Sequence, residues 1–208
     1  MSTNPDLENI VNTLVSASDP AQVKSLYAQW TNTYDKDLAG FGYVAPGIGV
    51  KLLNALLDNQ QALIHDAGCG TGQVGALLSD LGYTKIHGSD FSSEMLDKAD
   101  RLGCYGQLDN IDFGKPIDIQ NDVYDAVISI GVYTKRFKQH FIAEMLRITR
   151  PGGYFIFSCR ELYYDEVMDV VVDFLKRKSV SRLEIELDDY MTGQEASAYY
   201  VVLKKTSA

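Results

Sequence analysis

The residues best suited to chemistry lie between Asp66 and Gly72, where Asp66-Ala67-Gly68-Cys69-Gly70-Thr71-Gly72 alternates glycine with small side chains. Glycines in that rhythm let the chain turn tightly and let a ligand reach the backbone with no Cβ in the way. A helix opening after such a loop offers unpaired N–H groups to anionic ligand atoms. A carboxylate at the entrance accepts hydrogen bonds from the loop or from an ammonium group. Two alignments of the glycines are open at this point. Gly70, Gly72 and Gly75 satisfy G-x-G-x-x-G, the dinucleotide fingerprint. Asp66-x-Gly68-x-Gly70-x-Gly72 is the more complete pattern, and in it Gly70 follows the acid by four residues. The dinucleotide fingerprint sets its first glycine closer to the strand.

Such a loop needs a strand before it and a helix after it. Residues 62–66 read as the strand and 73–81 as the helix, closed by Gly82. The alternation continues. Strands are expected at 85–89, 104–108, 124–130 and 154–159, and helices at 93–102, 137–149 and 165–177. Alternating strands and helices imply right-handed crossovers and a parallel sheet. Residues 182–187 and 198–204 are two further strands with no helix between them, suited to an antiparallel hairpin at the sheet edge. The chain before residue 46 is helical instead. Leu7, Ile10, Val11, Leu14 and Val15 recur at helical spacing, Asp19-Pro20 is a helix start, and Tyr27, Trp30 and Tyr34 share one face. Pro46 opens a helix with Ile48, Leu52, Leu53, Leu56 and Leu57 as its apolar stripe.

At 208 residues the chain is one domain with a small appendage, divided here into a helical cap over 1–45 and a main unit over 46–208. The formal charge of −9 disfavours a nucleic-acid binder, since phosphate binding runs on lysine and arginine. Cys69, Cys104 and Cys159 are far apart and read as reduced thiols. No signal-peptide pattern and no bilayer-length apolar stretch is visible, so the expectation is a cytoplasmic protein without a membrane partner. No histidine and cysteine cluster has metal-ligand spacing, so no metal is expected. Oligomeric state is not legible.

The Asp66–Gly72 pattern resembles motif I of the class I S-adenosylmethionine-dependent methyltransferases, and the likeness extends over about residues 45–205. Asp90-Phe91-Ser92-Ser93-Glu94-Met95-Leu96, Asp112-Phe113, the strand ending Ser129-Ile130-Gly131 and the turn Arg150-Pro151-Gly152-Gly153 follow in the family's order. The resemblance implies a Rossmann-like α/β fold with a doubly wound, mostly parallel seven-stranded sheet and a C-terminal antiparallel edge hairpin. It implies that Asp66, Gly68, Cys69, Gly70 and Gly72 wrap the methionine part of S-adenosyl-L-methionine, and that Gly75 is only a small helix residue. Asp90 would take the ribose hydroxyls, Phe91 and Met95 the faces of the adenine, and Asp112 with Phe113 its amino edge. Ile130 would end beside the transferred methyl. Tyr34-Asp35 and Gly42-Tyr43-x-x-Pro46 are similar to the cap of the Williams–Beuren syndrome region methyltransferase-like group, with Tyr34 a cofactor contact.

A nucleophile that carries a proton needs a base, and His140 is the titratable candidate; His65 and His87 lie inside strands and read as structural. Tyr27 and Trp30 of the cap, Tyr133 beyond the fourth strand and Arg160 beyond the fifth are substrate candidates. Arg160 suits a carboxylate or phosphate, or pairs with Glu161 or Asp165. No Asn-Pro-Pro-Tyr-like sequence follows the fourth strand, which argues against adenine- or glutamine-directed methylation. Three readings stand: a methyltransferase acting on a small-molecule acceptor with S-adenosyl-L-homocysteine as product, a non-catalytic S-adenosylmethionine-binding protein, and a nicotinamide-dependent oxidoreductase. Calorimetric titration separates the last from the others: heat is expected with S-adenosylmethionine and none with NAD, and the reverse result would refute the motif alignment.

Overall fold

The computed structural model describes residues 19–133, 138–194 and 196–206; the amphipathic stretch over 7–15 lies outside them. The strands are β1 (Leu63–Ala67), β2 (Lys85–Asp90), β3 (Gln107–Asn110), β4 (Tyr124–Ser129), β5 (Thr149–Arg160), β6 (Val180–Met191) and β7 (Ala196–Lys205). They form one seven-stranded sheet in the order β3-β2-β1-β4-β5-β7-β6. Neighbouring strands from β3 through to β5 pair in parallel, and β7 runs antiparallel between β5 and β6. The order reverses between β1 and β4, and in open sheets of this kind ligands bind beyond the carboxyl ends at that point.

Helices cover both faces. The core beneath α3 (Ala45–Leu56) and α4 (Gln73–Asp80) holds Ile64, Ile86, Ile128, Ile156 and Tyr200. The core beneath α6 (Lys138–Ile148) and α7 (Tyr164–Lys176) holds Val127, Phe155, Phe157, Val201 and Leu203. Successive residues of β4 and β5 therefore serve opposite cores, which is why these strands read as continuous apolar runs rather than alternating ones. The cap adds α1 (Pro20–Trp30) and α2 (Tyr34–Gly40), and α5 (Ser93–Arg101) follows β2. Asp19 caps α1 by accepting from Ala21 N–H, and Ser92 caps α5 by accepting from Met95 N–H.

Sequence and structure differ at β3, at β5 and at β6, which runs past the expected 182–187 to Met191. The strand expected over 104–108 is β3, displaced to Gln107–Asn110 because pairing with β2 sets its register, His87 opposite Gln107 and Asp90 opposite Asn110. The turn expected at Arg150-Pro151-Gly152-Gly153 lies within β5, which already pairs Thr149 with Tyr124 and shifts register before Tyr154.

Tyr105 fits into space left open by glycines near the carboxyl edge. A Cβ on Gly75 would stand 2.2 Å from Tyr105 Cζ, one on Gly88 2.9 Å from its Cε1, and one on Gly72 3.2 Å from its Cε2. Three glycines thus clear room for one ring, whose hydroxyl donates to Asp66 Oδ2 at 2.6 Å and accepts from Gly75 N–H at 3.1 Å. Gly75→Ala gains up to ~1 kcal/mol of helix propensity. Displacing the ring strands a buried carboxyl group, a loss of ~1–3 kcal/mol, and the second effect wins. The variant is expected to melt at a lower temperature than wild type, and an unchanged or higher midpoint would show that the ring yields freely.

Candidate functional site

The glycine loop is strapped to the end of β2. Gly68 and Cys69 donate their N–H groups to the Ser89 carbonyl at 2.7 and 2.9 Å, and Gly70 donates to Asp90 Oδ2 at 3.0 Å. The other Asp90 oxygen accepts from Ser92 N–H at 2.9 Å. Gly68, Gly70 and Gly72 all lie at positive φ, +80°, +54° and +97°, where side chains with a Cβ are strained. Among the described residues no atom comes within 4 Å of where a Cβ on Gly70 would stand. Beneath the strap, His65 Nε2 lies 2.9 Å from Ser89 Oγ. Burial lowers the His65 pKa to about 3, with the nearby His87 adding to the effect, so the ring is neutral.

Asp66 is buried behind the loop. Burial raises its pKa to about 7; the Tyr105 hydrogen bond opposes this and the neighbouring Asp90 adds to it. Burial also raises the Cys69 thiol well above its ordinary range, with Asp66 and Asp90 contributing, so it stays protonated.

The cap closes over this edge. Asp35 Oδ1 accepts from Thr71 Oγ1 at 2.5 Å and from Gln73 Nε2 at 3.0 Å, placing a carboxylate at the N-terminus of α4. Lys98 of α5 donates to the Thr31 carbonyl. Tyr27, Trp30 and Tyr34 pack together, and Tyr27 meets Phe91 edge-on at 5.7 Å between centroids. From the other side come Tyr43 and Tyr190, their ring centroids 5.2 Å apart and edge to face. A Cβ on Gly131 would stand 2.6 Å from the Tyr43 hydroxyl and 3.3 Å from that of Tyr190, so both oxygens face the end of β4. Gly131 itself is held by its N–H donating to Ser158 Oγ at 2.8 Å. The rings of Tyr27, Tyr34, Tyr43 and Tyr190 are half-buried. Burial raises the pKa of each, so all four hydroxyls remain protonated.

Of the residues expected from sequence, Tyr27, Tyr34, Asp66, Gly68, Cys69, Gly70, Gly72, Asp90 and Phe91 meet around the loop. Met95 is buried in the first turn of α5, next to Phe91's turn. Asp112 lies just past β3, where it accepts from Gly114 N–H at 2.9 Å and faces Lys115 at 3.7 Å. Phe113 is buried against Phe141 at 5.3 Å, and the Ile130 side chain fits against Gly49 of α3. Trp30 is buried, with its indole N–H committed to Asp37 at 2.9 Å. Tyr133 packs between Phe157 and Tyr163; burial pushes its pKa up to about 12, and its hydroxyl has no partner among the described residues. Arg160 ends β5. His140 is exposed, its Nε2 3.3 Å from the Lys115 carbonyl.

Sequence reasoning missed Tyr105, Asp35 and Tyr190. Asp35 had a signal, an acid beside Tyr34 in the cap. Tyr190 is 59 positions from Gly131 and had none. Among the described residues no group of three or more metal-ligating side chains gathers, and no helix is long and apolar enough to cross a membrane.

The arrangement of motif loop, acid-ended β2 and antiparallel β7 defines a Rossmann-like methyltransferase fold. A family described as a methyltransferase domain matches residues 64–153. Human methyltransferase-like protein 27 is 31% identical over 180 residues, covering 83% of this chain and 74% of that protein. The chain belongs to the class I S-adenosylmethionine-dependent methyltransferases. Among solved structures, a TehB-like S-adenosylmethionine-dependent methyltransferase from Corynebacterium glutamicum matches with a TM-score of 0.58 at 19% identity, over 90% of this chain and all (100%) of that one. The [4+2]-cyclase SpnF matches with a TM-score of 0.59 at 12% identity, over 76% of this chain and 82% of that one. A likeness of that kind shows the fold alone.

The raised pKa of Asp66 has a consequence for stability. A carboxyl group that is about 7 in the fold and near 3.8 in the unfolded chain favours folding most below pH 4. That contribution is lost as pH rises through 7. Asp66→Asn cannot ionise, so its stability is expected to be flatter with pH over this window in denaturant titrations. Parallel curves for wild type and Asp66→Asn would place the ionisation elsewhere.

Proposed function

We propose that this chain transfers a methyl group from S-adenosyl-L-methionine to a small-molecule acceptor. The reading is carried by what gathers at the end of β4: tyrosine hydroxyls from the cap and from β6 converge on Gly131, beside a glycine loop and two buried carboxyl groups. The residues present fit the cofactor. Asp90 retains lone pairs for ribose hydroxyls, Phe91 and Met95 supply apolar faces for adenine, and Asp112 stands past the same sheet edge for its amino group. Ionised Asp66 suits an ammonium group, and the open ground above Gly70 admits a ligand against the backbone. When bound, S-adenosylmethionine supplies a methyl carbon activated by a sulfonium. Aromatic faces of Tyr27 and Tyr34 attract such a cation by about 0.5–2 kcal/mol.

Methyl transfer from an activated donor asks the protein mainly for positioning and exclusion of water. The described part of the cap, from Asp19 onward, does both and acts as a lid latched through Asp35 and Lys98. The same latch disfavours the nicotinamide alternative. A dinucleotide's pyrophosphate belongs at the first helix N-terminus, and here the Asp35 carboxylate holds that place. Deprotonation is not assigned to His140, whose ring is exposed and turned to Lys115. The charge of −9 favours a small acceptor over nucleic acid. The relation to methyltransferase-like protein 27, with the Tyr34-Asp35 and Gly42-Tyr43 patterns, supports placement in the Williams–Beuren region group.

The test is incubation with methyl-labelled S-adenosylmethionine and a small-molecule extract freed of protein and nucleic acid. Label is expected in low-mass product. Asp90→Ala removes a charged acceptor and is expected to weaken cofactor binding at least about tenfold. Tight binding of S-adenosylhomocysteine without transfer to any fraction would favour the non-catalytic reading.

A further inference from the structure

Among the described residues Arg160 has no ion partner, and the strand decides where it faces. Ile156 serves the core beneath α3, and Ser158 and Arg160 follow it at the two-residue period of β5, on the same face. Ser158 holds Gly131, the residue beneath the Tyr43 and Tyr190 hydroxyls. Arg160 is therefore one side-chain step beyond that pair, and its positive charge is felt at Tyr190. The arginine is half-buried. Among the described residues no carboxylate lies within ion-pair distance of it; Asp188, in the same cross-strand row with Ala198 between them, makes no bridge to it. A guanidinium partly withdrawn from water and lacking a counterion is ready to receive one.

The chemistry of what it receives follows from its surroundings. The Tyr43 and Tyr190 hydroxyls that come next along this face stay protonated and have hydrogen to donate. A single cation beside donors matches a monoanion. A dianion such as a phosphate ester asks for more positive charge than this acidic neighbourhood of Glu161 and Asp188 offers. We propose that Arg160 and the Tyr43–Tyr190 hydroxyl pair form the acceptor-binding subsite, and that it selects an acceptor bearing a carboxylate. Pairing with the guanidinium makes that carboxylate a poor nucleophile, so it is a handle, and another atom of the acceptor takes the methyl. This rests on the methyltransferase reading, and the experiment separates the two.

The protein is first saturated with S-adenosylhomocysteine, measured by calorimetry; failure to bind it would sink the methyltransferase reading itself. Benzoate, benzamide and phenyl phosphate are then titrated against the complex by ligand-observed NMR. Benzoate is expected to bind saturably, at least about tenfold tighter than benzamide. Arg160→Gln is expected to lose a similar factor for benzoate while keeping its S-adenosylhomocysteine affinity, with Arg160→Lys in between. Equal benzoate binding by wild type and Arg160→Gln would overturn the proposal, as would the absence of saturable benzoate binding to the wild-type complex. Tighter binding of phenyl phosphate would reassign the subsite to phosphate. Loss of S-adenosylhomocysteine affinity in Arg160→Gln would mean that the arginine holds the cofactor's own carboxylate.

Discussion

The site depends on one tie, between the backbone of a glycine loop and the end of a neighbouring strand. Ser89 and Asp90 take up the N–H groups of Gly68, Cys69 and Gly70. Bonds of this kind are worth about 1 kcal/mol each in water and more where water is excluded. Their larger effect here is geometric. They pull the loop sideways onto β2, so the carboxylate at the end of β2 and the first turn of α4 become walls of one space. Had these donors faced outward, the loop would be a cradle for phosphate. Committed inward, it is a floor.

What rests on that floor is held by side chains that distance in sequence conceals. The loop, the acid at β2, the parallel alternation of strands with helices and the edge hairpin were all legible, because each is a local pattern: glycines at fixed spacing, an acid after an apolar run, short apolar runs between helical periods. Trp30 was legible as an aromatic on the cap face, but not that its indole N–H is committed to Asp37. Tyr105 was not legible at all. Its place depends on the absence of side chains at Gly72, Gly75 and Gly88, which belong to three different elements. Gly75 shows the limit most clearly. The same residue completes a dinucleotide fingerprint on paper and, in the fold, makes room for a ring. Tyr190 illustrates the other obstacle, since only the antiparallel return of β6 and β7 brings it to the end of β4.

The interior of the site is also unusual in its polarity. Its donors are phenols and its acceptors are carboxyl groups, and burial biases both toward their neutral forms. An incoming sulfonium or ammonium lowers the cost of a negative charge at Asp66, which is near its midpoint at neutral pH and is placed to respond by releasing its proton.

The open rim of the sheet at β6 is a hazard of a different kind. Apart from its Tyr190–Met191 end, which Tyr43 and Val44 cover, this twelve-residue edge strand leaves its outer side open, and such a row can template pairing with another chain. Glu184, Glu186 and Asp188 recur along it at the strand period and are all exposed. At the opposite edge, β3 is only four residues long. Shortness at one rim and repeated negative charge at the other guard against sheet-to-sheet aggregation. The acidic balance of this chain therefore opposes pairing along this edge, independently of anything the site binds.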